Sequence, residues 1–122
     1  MIYHIAPRTD WERALNAGGY ASASLATEGF IHCSTRAQVL GVASAIFGGR
    51  EDLVLLCIDE AKVAAEIRFE AAAMVAAAHE AGQRFPHIYG ALNLAGVVDV
   101  VPFPPNMDGS FSLPRPLTGS QL

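Results

Sequence analysis

Apolar and polar positions alternate over Ile2 to Ala6, with Tyr3 and Ile5 on one face and Ile2 and His4 on the other, which predicts a strand. Pro7 ends it. Thr9-Asp10-Trp11-Glu12 has the form of a capping box, opening a helix that turns Trp11, Ala14 and Leu15 inward until Gly18-Gly19 stops it. Tyr20 to Gly29 is rich in Ala, Ser and Thr, shows little periodicity, and reads as a surface connection. Phe30 to Cys33 is a short predicted strand with Phe30 and His32 on one face. A second capping pattern, Thr35-Arg36-Ala37-Gln38, starts a helix whose apolar stripe is Val39, Val42, Ala43, Ile46 and Phe47, and Gly48-Gly49 ends it. A helix beginning there directs the amides of Thr35, Arg36 and Ala37 past His32, toward an anion or another polar ligand.

The second half opens with Leu53 to Ile58, an unbroken apolar run with β-branched members, predicted as a central strand buried on both faces. Asp59 to Ala64 forms a helical turn. Glu66 to Glu70 alternates again, with Ile67 and Phe69 inward, three charged residues opposite and Glu70 at the strand end. Ala71 to Ala81 has helix propensity from alanine alone. Phe85-Pro86-His87 reads as a shaped turn, because proline lacks an amide hydrogen and restricts the residue before it. An irregular or short helical stretch, Ile88 to Leu94, leads to a last strand, Val97 to Phe103, which Pro102 marks as near an edge. Asn106 to Gly109 turns the chain back to Phe111-Ser112-Leu113. The expected architecture is α+β, one domain over residues 1–113 with a mixed or antiparallel sheet core and two to three helices, followed by a flexible tail, 114–122.

Composition narrows the functional classes. The 122 residues are 52% hydrophobic, yet the longest apolar runs fall well short of the roughly 18 to 20 residues of a membrane span. No secretory signal is visible, so a cytoplasmic protein is expected. Eight basic against twelve acidic residues give a formal charge of −4 without a basic stripe, which argues against binding bulk nucleic acid. A local phosphate pocket could draw only on Arg8, Arg36, Arg68 and Arg84. Cys33 and Cys57 are too few for a disulfide framework and read as buried thiols. Lys62, the single lysine, has a polar, solvated setting.

The chemistry concentrates in three segments, Tyr3-His4-Ile5, Gly29-Phe30-Ile31-His32-Cys33-Ser34 and Phe85-Pro86-His87-Ile88-Tyr89-Gly90, each setting one histidine in an apolar, turn-bounded stretch. Such a histidine is either tied into the core or part of a polar site on a rigid scaffold. No Walker-type loop, Gly-x-Gly-x-x-Gly, His-Glu-x-x-His or Cys-x-x-Cys is present. The histidines come from separate segments with no pair at ligand spacing, which argues against a metal. His79 reads as solvent-facing. Cys33 adjoins His32 but points to the opposite strand face, so His32 does not activate it. Glu70 lies on a face that is either merely solvated or ligand-binding, and Tyr89 is either core or a stacking platform.

These three segments, with Asp52-Leu53-Val54-Leu55-Leu56, the continuation Ala91-Leu92-Asn93 and the Val98 to Pro104 strand, make residues 1–113 resemble the DUF952 family, small bacterial and plant proteins of unestablished function. The resemblance implies a fold like that of the ADP-ribosyltransferase superfamily, a split β-sheet that clasps nicotinamide adenine dinucleotide. It implies a nucleotide cleft lined by His4, His32, Ser34, His87 and Tyr89. Extended to the neighbouring residues, it gives His4, His32, Glu70 and His87 as candidate catalytic residues and Ser34, Thr35, Arg36 and Tyr89 as ligand-binding. The carboxylate would steady the positive charge that develops on ribose as a glycosidic bond breaks. No cofactor is expected, NAD entering only as a substrate, and oligomeric state is left open. The glutathione S-transferase label attached to some family members does not suit so short a chain. Two alternatives stand beside an ADP-ribosyl- or phosphoribosyl-processing enzyme: a non-catalytic nucleotide-binding module, and a protein-interaction domain with structural histidines.

Overall fold

A computed structural model describes residues 1–71 and 83–114. The expected helix over 71–81 with His79, and the tail beyond residue 114, therefore fall largely outside the described residues. Three antiparallel strands form the first sheet, in the order β1 (Ile2–Pro7), β4 (Leu53–Ile58), β8 (Val97–Pro102). A second antiparallel sheet runs β3 (Ile31–His32), β6 (Arg84–Tyr89), β5 (Glu66–Ala71). Short strands β2 (Gly19–Tyr20) and β7 (Leu92–Asn93) pair separately. The described helices are α1 (Arg8–Ala17), α2 (Ala23–Glu28) and α3 (Val39–Ile46), with 3-10 turns at Glu60–Lys62 and Leu94–Gly96. The architecture is α+β, as the sequence pattern predicts. No described helix is long and apolar enough to cross a membrane.

The unbroken apolar run of β4 has a direct cause. Val54, Leu56 and Ile58 join Ile2 and Ala6 of β1 in a core that includes Ala14, Tyr20, Ile31, Ile88 and Leu92. Leu53, Leu55 and Cys57 face the other way, joining Tyr3 and Ile5 in a second core closed by Val39 and Ala43 of α3 and by Phe103 and Phe111. A central strand with a core on each side has no polar face to offer water. The two three-stranded sheets are stitched at one point, where Tyr3 and Ser34 exchange both backbone hydrogen bonds at 2.8 Å.

Several expectations are corrected. Helix α1 begins at Arg8 without a side-chain cap; the Arg8 amide donates to the Asp52 carbonyl at 2.7 Å, so tertiary structure replaces the capping box. Within α1, Trp11 and Ala14 reach the core while Leu15 is 55% exposed. The stretch read as a surface connection contains β2 and α2 and buries Tyr20. Phe69 is 43% exposed, because edge strand β5 extends beyond the core that Ile67 covers.

Phe85-Pro86-His87 is not a turn but the middle of the central strand of the second sheet. Pro86 is tolerated because its carbonyl accepts from the Cys33 amide at 3.0 Å and it has no N–H to return. Pairing between β3 and β6 accordingly stops at His32↔His87. The stretch read as irregular from Ile88 begins inside that same strand and continues into β7.

Candidate functional site

A cavity of about 350 Å³ opens between the two sheets. Strand β1 contributes His4, β2 contributes Tyr20, the turn before α2 contributes Ser22, β3 contributes His32, the C-cap of α3 contributes Phe47, and β6 contributes Phe85. Its walls are mostly apolar and aromatic. Among the described residues no Lys or Arg lines it, and Asp10 and Glu28 are its acidic members.

His4 is fixed at the base of this hollow. Its Nδ1 faces the His32 carbonyl at 2.5 Å, and because a carbonyl only accepts, Nδ1 carries the proton. Nε2 is then the acceptor for the Tyr20 hydroxyl at 2.7 Å. Burial pushes the His4 pKa down to about 4, so the ring is neutral at neutral pH. Burial also pushes the Tyr20 phenol up, which keeps its proton in place for donation. Both ring nitrogens of His4 are thereby occupied by protein partners.

His32 stands at the rim. Gly29, left-handed at φ 91°, closes α2 and turns the chain so that His32 Nε2 lies 3.1 Å from both carboxylate oxygens of Glu28. Phe30, two residues earlier on the same face, packs edge-on to His32 with ring centroids 4.8 Å apart.

His87, cross-strand partner of His32, lies on the β6 face shared with Phe85 but behind the cavity wall. Phe30 covers it in a stacked arrangement, centroids 4.1 Å apart and planes 19° apart. Its Nδ1 lies 2.9 Å from Glu70 Oε1, which also accepts from the Tyr89 hydroxyl at 2.5 Å. The hydrogen bonds from Tyr89 and then His87 hold the Glu70 carboxyl below its ordinary range, so it is an acceptor at neutral pH. His87 Nε2 is buried and has no partner among the described residues. Arg68 lies over the Tyr89 ring at 4.5 Å while pairing with Glu66.

The structure thus joins His4, His32 and His87 through adjacent strands, with His4 and His32 on the cavity, His87 under Phe30, and Glu70 and Tyr89 beyond it. Ser34 is buried and lines the hollow, its backbone committed to Tyr3. The expected amide cluster at Thr35, Arg36 and Ala37 does not open a helix: α3 begins at Val39, and the Thr35 amide is taken by the Gln38 side chain at 2.9 Å. Arg36 is exposed and does not line the cavity. Burial raises the pKa of Cys33, beside His32, in keeping with an inert thiol. No metal-binding cluster of His, Cys, Asp or Glu occurs among the described residues.

Sequence reasoning missed Tyr20, Glu28 and the covering role of Phe30. The spacing of Glu28 and His32, four apart across a glycine, carried a local signal. Tyr20 carried none, because its contact with His4 is made only by the fold.

A family model described as a protein of unknown function, DUF952, matches residues 5–100. The chain belongs to the DUF952 family. Among solved structures, this DUF952 chain is similar to the crystal structure of protein CC0527 from Caulobacter crescentus, with 30% identity and a TM-score of 0.78, covering 91% of this chain and 92% of that one. It is also similar to the solution NMR structure of CC0527, at 29% identity and a TM-score of 0.66, with 89% of each chain covered. None of the curated proteins matches this DUF952 member.

Proposed function

We propose that this DUF952 protein binds a small organic ligand in the hollow between its sheets, taking up the ring-bearing part of a nucleotide of the NAD or ADP-ribose kind. The observation that carries the reading is the cavity itself, about 350 Å³ with aromatic walls and an orientationally fixed His4–Tyr20 pair at its base. That volume is toward the lower end of the roughly 300–1,000 Å³ of ligand pockets, enough for a ring and a sugar. Phosphates belong outside, since no described Lys or Arg lines the hollow and Asp10 and Glu28 would repel them. An ADP-ribosyltransferase-like fold belongs to the same reading, as an analogy of architecture alone.

An enzyme of the NAD-cleaving, ADP-ribosyl- or phosphoribosyl-processing type needs a carboxylate facing the sugar. Glu28 and Asp10 face the hollow, whereas Glu70 is turned to His87 and Tyr89. The carboxylate role proposed for Glu70 from the sequence is therefore better filled by Glu28. A non-catalytic role with structural histidines is favoured by one observation, the occupation of both His4 ring nitrogens.

Calorimetry with NAD, ADP-ribose, nicotinamide riboside and adenosine tests the reading. Saturable binding of the nucleosides at least as tight as that of NAD is expected, and it should weaken in Phe85→Ala. Absence of binding by all four discards it. Release of nicotinamide from NAD separates enzyme from binder, and its loss in Glu28→Gln with binding retained would assign the carboxylate.

A further inference from the structure

Nearly every polar side-chain atom in the described interior is paired, but His87 Nε2 is not. A buried polar group without a partner costs stability, and the fold retains this one in a side chain that is only 3% exposed. Its other nitrogen is held by a carboxylate that itself accepts a second hydrogen bond from Tyr89. Because ionised Glu70 can only accept, the proton of a neutral His87 ring resides on Nδ1, and Nε2 presents a bare lone pair. Carboxylate-held imidazoles of this kind present the far nitrogen in a fixed orientation to whatever approaches it.

The imidazole sits among aromatic neighbours. Phe30 lies flat on the His87 ring, is itself half-buried, and touches cavity-lining His32 by its edge. His32 also meets His87 edge to face, with centroids 5.4 Å apart. Phe85, two residues before His87 and on the same strand face, lines the cavity. His87 is thus one side chain away from the hollow on two sides.

We infer that His87 Nε2 is a hydrogen-bond acceptor held in reserve beside the cavity, which receives a hydroxyl or N–H group of the bound ligand when the rings that separate it from the hollow move aside. The inference rests on the ligand-binding reading of the cavity and narrows it to ligands carrying such a donor on the ring or sugar. Glu70 acts as a positioning residue, through the tautomer it imposes on His87.

Nitrogen-detected NMR of the imidazoles in the intact protein, free and saturated with nicotinamide riboside or adenosine, tests this. The free protein should show His87 protonated on Nδ1 and bare on Nε2; protonation on Nε2 alone overturns the inference. Binding of either probe should shift the Nε2 resonance toward that of a hydrogen-bonded nitrogen. Glu70→Gln should shift His87 toward a mixture of tautomers, whereas Tyr89→Phe should leave the tautomer in place. In Phe30→Ala the His87 ring should become reactive toward diethyl pyrocarbonate, from which the wild-type protein protects it. Probe binding that leaves the His87 nitrogens unmoved overturns the inference while leaving the cavity reading intact. Failure of both probes to bind removes the two together.

Discussion

Tyr20 donates its hydroxyl hydrogen to His4 Nε2 across 2.7 Å, joining the short strand after the first helix to the middle of β1. The pair is buried, and each partner is in the protonation state the other needs. Replacing Tyr20 by Phe removes the donor and leaves a buried acceptor unpaired, at an expected cost of about 1–3 kcal/mol in urea unfolding. A loss below about 0.5 kcal/mol would show that another donor, such as water, serves His4 equally well.

Acid sensitivity follows from the same ring. The folded pKa of His4 is pushed down to about 4 from the ordinary 6.5, so between those values the unfolded chain binds the extra proton. Stability contributed by neutral His4 is present above pH 6.5 and is lost as pH falls toward 4. Lowering pH from about 7 to about 5 should therefore cost roughly 2 kcal/mol, with His4→Gln lacking this part of the slope. Glu66 and Glu70, held below the ordinary 4.5, add their losses only at lower pH.

Two cores back to back make a specific prediction for β4. Leu55 and Leu56 are adjacent, fully buried and belong to different cores. Each changed singly to Ala should cost about 2–5 kcal/mol by denaturant titration. In a strand with one solvated face, one of the two substitutions would be nearly silent.

Pro86→Ala supplies the N–H that the β3–β6 ladder lacks. The new amide faces Cys33, whose own amide already donates to the residue 86 carbonyl. It should be slow to exchange in hydrogen-exchange NMR, and stability should change by less than about 1 kcal/mol, the new bond offsetting the lost restriction of the unfolded chain. Fast exchange at residue 86 would mean that the strands diverge there for another reason.

Neither thiol should react with a disulfide reagent at neutral pH while the protein is folded. Burial raises both, Cys57 to about 11, and both are buried. Labelling should track the unfolded fraction as urea is added. Rapid labelling of Cys33 in the native state would imply that the cavity admits the reagent and opens the packing around β3.

The sequence by itself determined the elements whose pattern is local. Alternation in Ile2 to Ala6, the unbroken run of β4 and the glycine stop at Gly18 translate directly into backbone geometry, because strand period and left-handed helix ends are properties of neighbouring residues. The same local logic failed at Pro86, where a residue that ordinarily interrupts a strand sits in one because its partner strand is only two residues long. At Thr35 it held in part: the Gln38 side chain accepts from the Thr35 amide as the capping pattern predicts, while the helix itself starts only at Val39. For the site, the sequence singled out His4, His32, His87, Glu70 and Tyr89 by type and setting. Only tertiary structure decided their separate positions: His4 tied off by Tyr20, His32 at the rim with Glu28, and His87 sealed under Phe30 with one nitrogen unpaired. Those relations depend on strand register and on which rings meet across the sheets, and each joins residues that no local pattern connects.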